Sequence, residues 1–369
     1  ADTLQRLPLG FDVFYPARSA SATSLYLETR VPLISGKNRR TGVEALELQL
    51  AVRGDQYRTV GTTGFTIVGL DTPIVTARNV TDSVNPTIAV TYQPCDSLKL
   101  RSSYGTGFVA PDVSQLAQSI SGEVITVTDP RRGNTVTTLP VGQVLQGGNP
   151  NLEPEKSKSW SLGFVWTPQF ASGLRLSLDY LRIRKTDNIA IYPTGIQGVL
   201  NDEARFPDRV QRGPNLPGDP SGWAGPITLL DVSLFNIARA EVEAFDLQLD
   251  YSRATSFGTF SFATVATRQT HFRTTALPGL PTFENVGVTF NNPQELVGNA
   301  EVKWQHLGWT AGWLARYYDG YLTANPALPQ SLGAITLQGR GGRVPSQTYH
   351  DVMLSWDTDL AGRNLPSAL

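Results

Sequence analysis

Residues 160–180 read WSLGFVWTPQFASGLRLSLDY. Trp160, Leu162, Phe164 and Trp166 occupy every second position, with Ser161, Gly163 and Val165 between them. After a Pro- and Gly-containing break the alternation resumes: Leu174, Leu176, Leu178 and Tyr180 are separated by Arg175, Ser177 and Asp179. Successive side chains of a strand point to opposite faces, so the stretch predicts two strands, each with one apolar and one polar face. The same period of two extends through the chain. Phe245, Leu247, Leu249 and Tyr251 alternate with Asp246, Gln248 and Asp250. Leu46, Leu48, Leu50 and Val52 alternate with Glu47, Gln49, Ala51 and Arg53. Ile88, Val90 and Tyr92 repeat it, as do Val302 with Trp304, and Val352 with Leu354 and Trp356.

About eleven strands follow, at 23–33, 43–58, 87–94, 97–108, 157–168, 172–186, 232–253, 257–273, 295–306, 308–320 and 347–357. Several are far longer than the roughly 5–6 residues usual in soluble domains. Helical spacing is confined to Val113, Leu116, Ala117 and Ile120 after Pro111, which predicts a short helix inside a loop. The connections alternate too. SGKNRRTG, QPCDS, PQFASG, RATSFG and QHLG are short, whereas 59–86, 109–156, 187–231, 274–294 and 321–346 are long. In an up-and-down sheet every second connection lies at the same end, so one end carries tight turns and the other long loops. Membrane β-barrels have this asymmetry.

The aromatic residues supply a third pattern. Tyr92, Trp166, Tyr251 and Trp304 each precede a tight turn, and Trp309 follows one. Rings that carry one polar atom are favoured where hydrocarbon meets water, so these positions predict an aromatic girdle. A soluble β-sandwich also alternates, but it must bury its apolar face and has no two-ended loop asymmetry. The expected fold is therefore all-β: an antiparallel up-and-down transmembrane β-barrel.

Composition narrows the function. The 369 residues are 40% hydrophobic and 17% charged, outside the range of disordered chains. A net charge of −1, with no basic stripe, gives no case for nucleic acid as a partner. The single cysteine, Cys95, excludes an internal disulfide. No run approaches the roughly 18–20 apolar residues of a membrane helix, and no signal peptide is recognisable. No His/Cys/Asp/Glu cluster has metal-ligand spacing and no phosphate-cradling Gly loop follows a strand, so no cofactor is expected.

Two segments resemble a known family. In RSSYGTGFVAPDVSQL, Gly107, Phe108, Ala110, Pro111 and Leu116 are similar to the strand-to-loop signature of TonB-dependent outer-membrane receptors, with Val109 and Asp112 where Arg and Ser are usual. In GGNPNLEPEKS (147–157), Gly148, Asn149, Pro150, Leu152, Pro154, Glu155 and Ser157 match the family's second signature. The strand GLRLSLDYLRIRKTDNI and the segment Phe245-Asp246-Leu247, with Ala244 in place of Gly, resemble the family in the same order. The resemblance implies a 22-stranded barrel around a globular plug, importing a scarce ligand such as a siderophore, cobalamin or glycan. The energy comes through a TonB-type partner that acts on the plug. It also implies the outer membrane of a Gram-negative-type bacterium, with membrane lipid as a further partner. Measured against that pattern, residues 1–369 are expected to be a partial barrel, without the plug and the last strands, since DLAGRNLPSAL does not read as a closing strand. A passive porin-like or structural barrel is the alternative function, and a barrel hydrolase a more distant one.

Ligand contacts are expected in the long loops: Arg131 and Arg132 in DPRRGN, Trp223 in PSGWAG, Tyr317, Tyr318 and Tyr321 in RYYDGY, and Arg340 and Arg343 in GRGGR. Arg holds carboxylates and anionic chelates through paired N–H groups. Arg and Tyr are equally common at a barrel rim that faces headgroups. The histidines are His271, His306 and His350. His350 shares parity with Val352 and Leu354, but no Ser in a nucleophile motif accompanies it, so the chain is not expected to be an enzyme. Pro150 and Pro154 fix the backbone just ahead of the strand near Ser157, which makes 147–157 a register clamp. Glu155 is expected to accept backbone N–H bonds from a neighbouring loop base.

Overall fold

The computed structural model describes residues 3–6, 12–62, 66–67, 76–289, 292–326, 333, 336–337 and 339–357. The C-terminal stretch read as lacking a strand lies outside them. Eleven long strands pair in chain order into one antiparallel sheet. They are β1 (Ser19–Ile34), β2 (Ala45–Thr62), β3 (Thr76–Cys95), β4 (Leu98–Val109), β5 (Glu155–Trp166), β6 (Leu174–Ala190), β7 (Phe235–Thr255), β8 (Gly258–Thr275), β9 (Leu296–His306), β10 (Trp309–Tyr318) and β11 (Gln347–Trp356). The expected eleven strands and the alternation of tight turns with long loops are both present. The short helix is there as well: α1 (Val113–Leu116) has Asp112 as its N-cap, with Gln115 bonding back to the Asp112 N–H at 2.8 Å.

Strand boundaries differ from the sequence reading by a few residues in several places and most between β2 and β3. Residues 59–86 were expected as a long loop, yet β2 runs on to Thr62 and β3 starts at Thr76. The signal is weak there because Asp82 interrupts Val80 and Val84 and because Pro86 reads as a breaker. Proline is tolerated in a strand that is unpaired on one side. Here β3 pairs with β2 along its whole length, but its ladder with β4 ends at Thr87↔Gly105, one residue short of Pro86. Above that point β3 and β4 part.

Register places the apolar residues on one wall. Leu174, Tyr251, Phe262, Val302, Trp313 and Val352 stand side by side across six strands. Nothing in the described chain covers this face: Leu25 is 80% and Val352 81% exposed. A soluble sandwich would have buried it, and an apolar surface of this extent belongs in lipid. The opposite face is polar, with Arg101, Gly163, Asp179, Asp246 and Thr267 in one cross-strand row. Arg101 bonds Asp179 at 2.5 and 2.8 Å across the gap left by Gly163, where a Cβ would stand 1.9 Å from Asp179 Oδ1.

The hydrophobic core is in the loops. Leu139, Val144, Val199, Leu200, Leu230 and Leu277 are buried together with Tyr192 and Phe235. The loops build a cap for this purpose. Gln118–Ile120, Val144–Gly147, Val210–Arg212 and Ile227–Asp231 form a four-stranded sheet, joined by the hairpin Ile125–Asp129/Thr135–Leu139 and by α2 (Gly195–Asn201).

Candidate ligand-facing site at the loop end

The stretch 147–157 ties the cap to the sheet. A Cβ at Gly148 would lie 2.6 Å from the Ala117 nitrogen, so only glycine lets these two loop strands approach so closely. The Asn149 N–H donates to Gln115 O at 2.7 Å, and its side-chain amide donates to Leu234 O at 2.9 Å. Asn79, on β3, donates to Pro150 O and Leu152 O at 3.2 and 3.1 Å. Asn236 accepts from the Glu153 N–H and donates to the Glu153 and Asp187 carbonyls. The Glu155 carboxylate accepts the Ile189 N–H at 2.8 Å and pairs with Lys185, at the bulge where β6 shifts register against β7. Thus Glu155 takes the backbone bond expected of it. Leu152 is buried beneath this network. Gly107 and Phe108 lie on β4, with Ala110 and Pro111 directly after it, so both family signatures meet at the base of the cap.

Charge pairs hold the cap itself. Arg212 bonds both oxygens of the fully buried Asp129 (2.8 and 2.9 Å) and both oxygens of Glu203 (2.9 and 2.7 Å). Arg131 reaches Glu203 at 2.9 Å and remains largely exposed. Burial works against the charge on Glu203, but Arg212 and Arg131 outweigh it and hold the carboxyl below its ordinary range. Arg132 is itself buried; it grips Asp219 at 2.5 and 2.9 Å and stacks on the Trp223 ring at 5.1 Å. The Arg132 bond, with the Leu216 N–H, keeps Asp219 below the usual carboxylate range. Burial, reinforced by Asp202, pushes the Tyr192 hydroxyl up to about 12.

A different group faces the interior. Arg316 on β10 and Tyr349 on β11 are cross-strand partners on the polar wall, as are Tyr318 and Gln347 one step higher. With Tyr321, Asp319 and Gln294 they line a recess of about 450 Å³, to which Val344 and Pro345 also contribute. The Tyr318 and Tyr349 rings meet edge to face at 6.1 Å. Arg316 bonds Asp351 at 2.6 Å, on the same wall, and both side chains are half-exposed. A cation beside two tyrosines in a concave polar wall can take an anionic or aromatic guest.

The residues expected to contact ligand therefore fall into four settings. Tyr318 and Tyr321 line the interior recess. Arg132 and Trp223 are committed to each other inside the cap, and Arg131 sits on its surface with Glu203. Arg343 is exposed on the two-residue strand that pairs with Tyr321–Leu322, whereas the side chain of Arg340 lies outside the described residues. Tyr317 faces the apolar wall's side and donates to Asp319 at 3.1 Å. Tyr349 and Gln347 were not singled out from sequence; their parity on 347–357 was the signal that placed them inward with Arg316. His350 stacks on Trp313 at 5.6 Å on the apolar wall, and His271 pairs with Glu284 at 2.9 Å. The four girdle residues stand at the tight-turn end, where Tyr92 donates to Gly42 O at 2.6 Å and Trp304 to Phe257 O at 2.7 Å. A second aromatic group lies toward the loop-side end of the same wall: Trp160 is opposite Tyr104, Tyr180 is opposite Phe245, and the Trp160 and Tyr180 rings meet edge to face at 5.6 Å.

The β-barrel model of the TonB-dependent receptor-like family matches residues 3–365. No curated protein sequence matches. Among solved structures, the siderophore receptor PiuA from Acinetobacter baumannii is 15% identical with a TM-score of 0.51, covering 95% of this chain and 38% of its own. The hemophore receptor HasR from Serratia marcescens is 15% identical at 0.52, covering 97% and 53%. The ferric-catecholate import receptor Fiu from E. coli K12 is 13% identical at 0.50, covering 95% and 40%. The chain thus spans about two fifths to one half of the length of these receptors, and at such identities the likeness is one of fold. The family match, the up-and-down sheet with its lipid-facing wall, and the two signatures at the cap base agree: this chain belongs to the TonB-dependent receptor family and has the fold of its β-barrel.

Proposed function

We propose that the chain is barrel wall and loop cap of an outer-membrane receptor that takes up a scarce anionic chelate, of the ferric catecholate kind, with energy from a TonB-type partner. It would act in the outer membrane of a Gram-negative-type bacterium. The observation that supports this ligand class is the interior recess, where Arg316 stands beside Tyr318, Tyr321 and Tyr349. Arginine supplies charge-assisted bonds to catecholate or carboxylate oxygens, and the tyrosines supply ring contacts and hydroxyl donors. Receptors of the same fold are described as siderophore and ferric-catecholate receptors, in line with that chemistry.

The test is a fluorescence titration of the full receptor with ferric tris-catechol, cobalamin and a maltodextrin series. Ferric tris-catechol should bind in preference to the other two. Arg316→Gln should weaken that binding by about tenfold to a hundredfold, the range expected when a hydrogen bond to a charged group is lost. Preference for cobalamin or glycan, or an Arg316→Gln variant with parental affinity, would overturn the assignment.

A further inference from the structure

The wall has an opening between β3 and β4. Their ladder ends at Thr87↔Gly105, while β2 and β3 stay paired up to Thr62↔Thr76 and β4 and β5 up to Val109↔Glu155. Across the lower edge the Thr106 hydroxyl bonds Asn85 Oδ1 at 3.3 Å. Higher up, the clamp reaches back to β3 through the bonds from Asn79 to Pro150 O and Leu152 O. The two flanks differ. On the β3 side the outer wall is still apolar: Leu25, Gly54 and Val84 form one cross-strand row, with Leu25 80% and Val84 71% exposed. On the β5 side stands Lys156, beside Glu153 and Asp187. Backbone N–H and C=O groups that face the opening lack a strand partner there, and hydrocarbon does not tolerate such groups. The opening therefore stands at the boundary between hydrocarbon and the polar layer above it.

A hollow lies on each side of it. The outer one, of about 640 Å³, is lined by Val84, Asn85, Thr106, Phe108 and Lys156. The inner one, of about 690 Å³, is lined by Tyr57, Phe108, Val113, Gln115 and the acids Asp112 and Glu155. Phe108 belongs to both. It pairs with Lys156 and shares the outward parity of Tyr104; three positions beyond Thr87↔Gly105, a continued ladder would set it opposite Val84. Its ring nevertheless turns inward and meets Tyr57 edge to face at 5.3 Å. Tyr57 is on the inner face of β2, opposite in parity to Leu50 and Val52. Phe108 thus lies across the opening, held by a ring contact. Rotation to the outward rotamer that its parity allows would join the two hollows.

We propose that the opening is a lateral port for a single-chain amphiphile with an uncharged polar head. The head passes Phe108 into the inner hollow, and the chain stays outside against Val84 and Leu25. The chain is apolar because the outer hollow continues the exposed row of Leu25 and Val84. It is single because the passage is only what one phenyl ring vacates. The head is uncharged because the acids of the inner hollow are already engaged: Glu155 pairs with Lys185 and takes the Ile189 N–H, and Asp112 caps α1 through the Ser114 N–H at 3.2 Å. A phosphate would meet two carboxylates there, whereas the Tyr57 hydroxyl and the Gln115 amide suit a hydroxyl or amide head. The port is separate from the Arg316 recess on β10 and β11 and does not depend on the ligand assigned to that recess.

The experiment uses the full receptor in phosphatidylcholine nanodiscs, with Cys95→Ser and a new thiol in the inner hollow from Val113→Cys. Two maleimides are compared by intact mass: water-soluble N-ethylmaleimide, and N-hexadecylmaleimide, an uncharged head on one chain that stays in the bilayer. Both should label Val113→Cys. Val265→Cys, on the inner face where the β7–β8 and β8–β9 ladders close the wall, should take N-ethylmaleimide alone. Phe108→Ala should speed the long-chain reaction at Val113→Cys by about fivefold, the weight of one edge-to-face ring contact, and leave the N-ethylmaleimide rate unchanged. Phe108→Leu, which keeps an apolar side chain, should act in the same direction and guards against a misfolded alanine variant. No long-chain labelling of Val113→Cys even with Phe108→Ala, equal long-chain labelling of Val265→Cys, or a rate indifferent to both Phe108 variants would overturn the proposal.

Discussion

Leu178 and Leu230 are both leucines on β-strands, and their surroundings differ completely. Leu178 sits on the outer wall in register with Phe164 and Leu247, where the chain provides only neighbours of the same sheet. Leu230 is fully buried, enclosed by cap residues drawn from loops more than eighty positions apart. The wall leaves its apolar face to the bilayer and satisfies its backbone strand by strand. The cap is a small globular body in water, with its own core and its own charge pairs. The wall faces lipid with its apolar side, whereas the cap closes its core within the loops, using Phe235 and Ile237 from the start of β7.

The largest effect should come from the cap. Arg212→Ala would leave Asp129, fully buried, and Glu203 without their shared cation. Removing one partner of a buried pair costs about 3–5 kcal/mol. Amide hydrogen exchange should show protection lost over 118–147 and 195–231, while exchange in β5–β7 stays slow. Equal loss in the sheet would mean that wall and cap are a single cooperative unit.

The wall is tested by substituting its two faces at the same depth. Leu178→Arg should destabilise the barrel by about 2–4 kcal/mol, as an arginine does at the lipid-exposed midplane. Gln248→Arg, one position along β7 from the Leu178 partner Leu247 and facing inward, should stay within roughly 0.5 kcal/mol. Urea unfolding in vesicles separates them. Equal costs would refute the face assignment.

These two regions were unequally readable. The wall obeys a rule of period two within each strand, so Trp160–Tyr180 alone announces it, and the girdle and turn asymmetry follow from local positions. The stretches 59–62 and 76–86 escaped, the second because a strand paired on one side tolerates Asp82 and Pro86. The cap follows no period. Its decisive contacts join Arg212 to Asp129 and Arg132 to Asp219, across 83 and 87 positions, and nothing local in DPRRGN distinguishes an arginine that serves the fold from one that serves a ligand. The clamp was readable because its prolines and glycines act on the backbone where they stand. The interior recess was half readable: Tyr318 and Tyr321 stood out, but Arg316, Gln347 and Tyr349 meet only through register between β10 and β11.

Acid should loosen the cap before the wall. Glu203 and Asp219 titrate below the ordinary carboxylate range in the folded cap, so they bind fewer protons folded than unfolded near that range. A depressed carboxyl contributes stability that is whole above its unfolded value and is lost as pH falls through the folded one. Cap stability should therefore be flat from neutral pH down to the ordinary carboxylate range and decline only below it. Limited proteolysis of loops 110–154 and 191–234 in a pH series reads this directly. Loosening that begins near pH 6 would point to another group.

The smallest effect belongs to a tight turn at the far end of the wall. Between β9 and β10 the chain reverses over Leu307 and Gly308, with φ of 48° and 81°. Positive φ at both central positions is the hairpin turn that favours Asn-Gly, because it matches the twist of the strands it joins. Glycine adopts that conformation freely. Leucine is strained in it, and Leu307 is 83% exposed, so no packing in the chain offsets the strain. Leu307→Asn should therefore stabilise the β9–β10 hairpin by about 1 kcal/mol, read as slower exchange at the Val302 to Trp309 amides. A loss of stability instead would show that the exposed leucine is anchored by the bilayer surface at the tight-turn end. The wall's dependence on lipid would then extend to its turns.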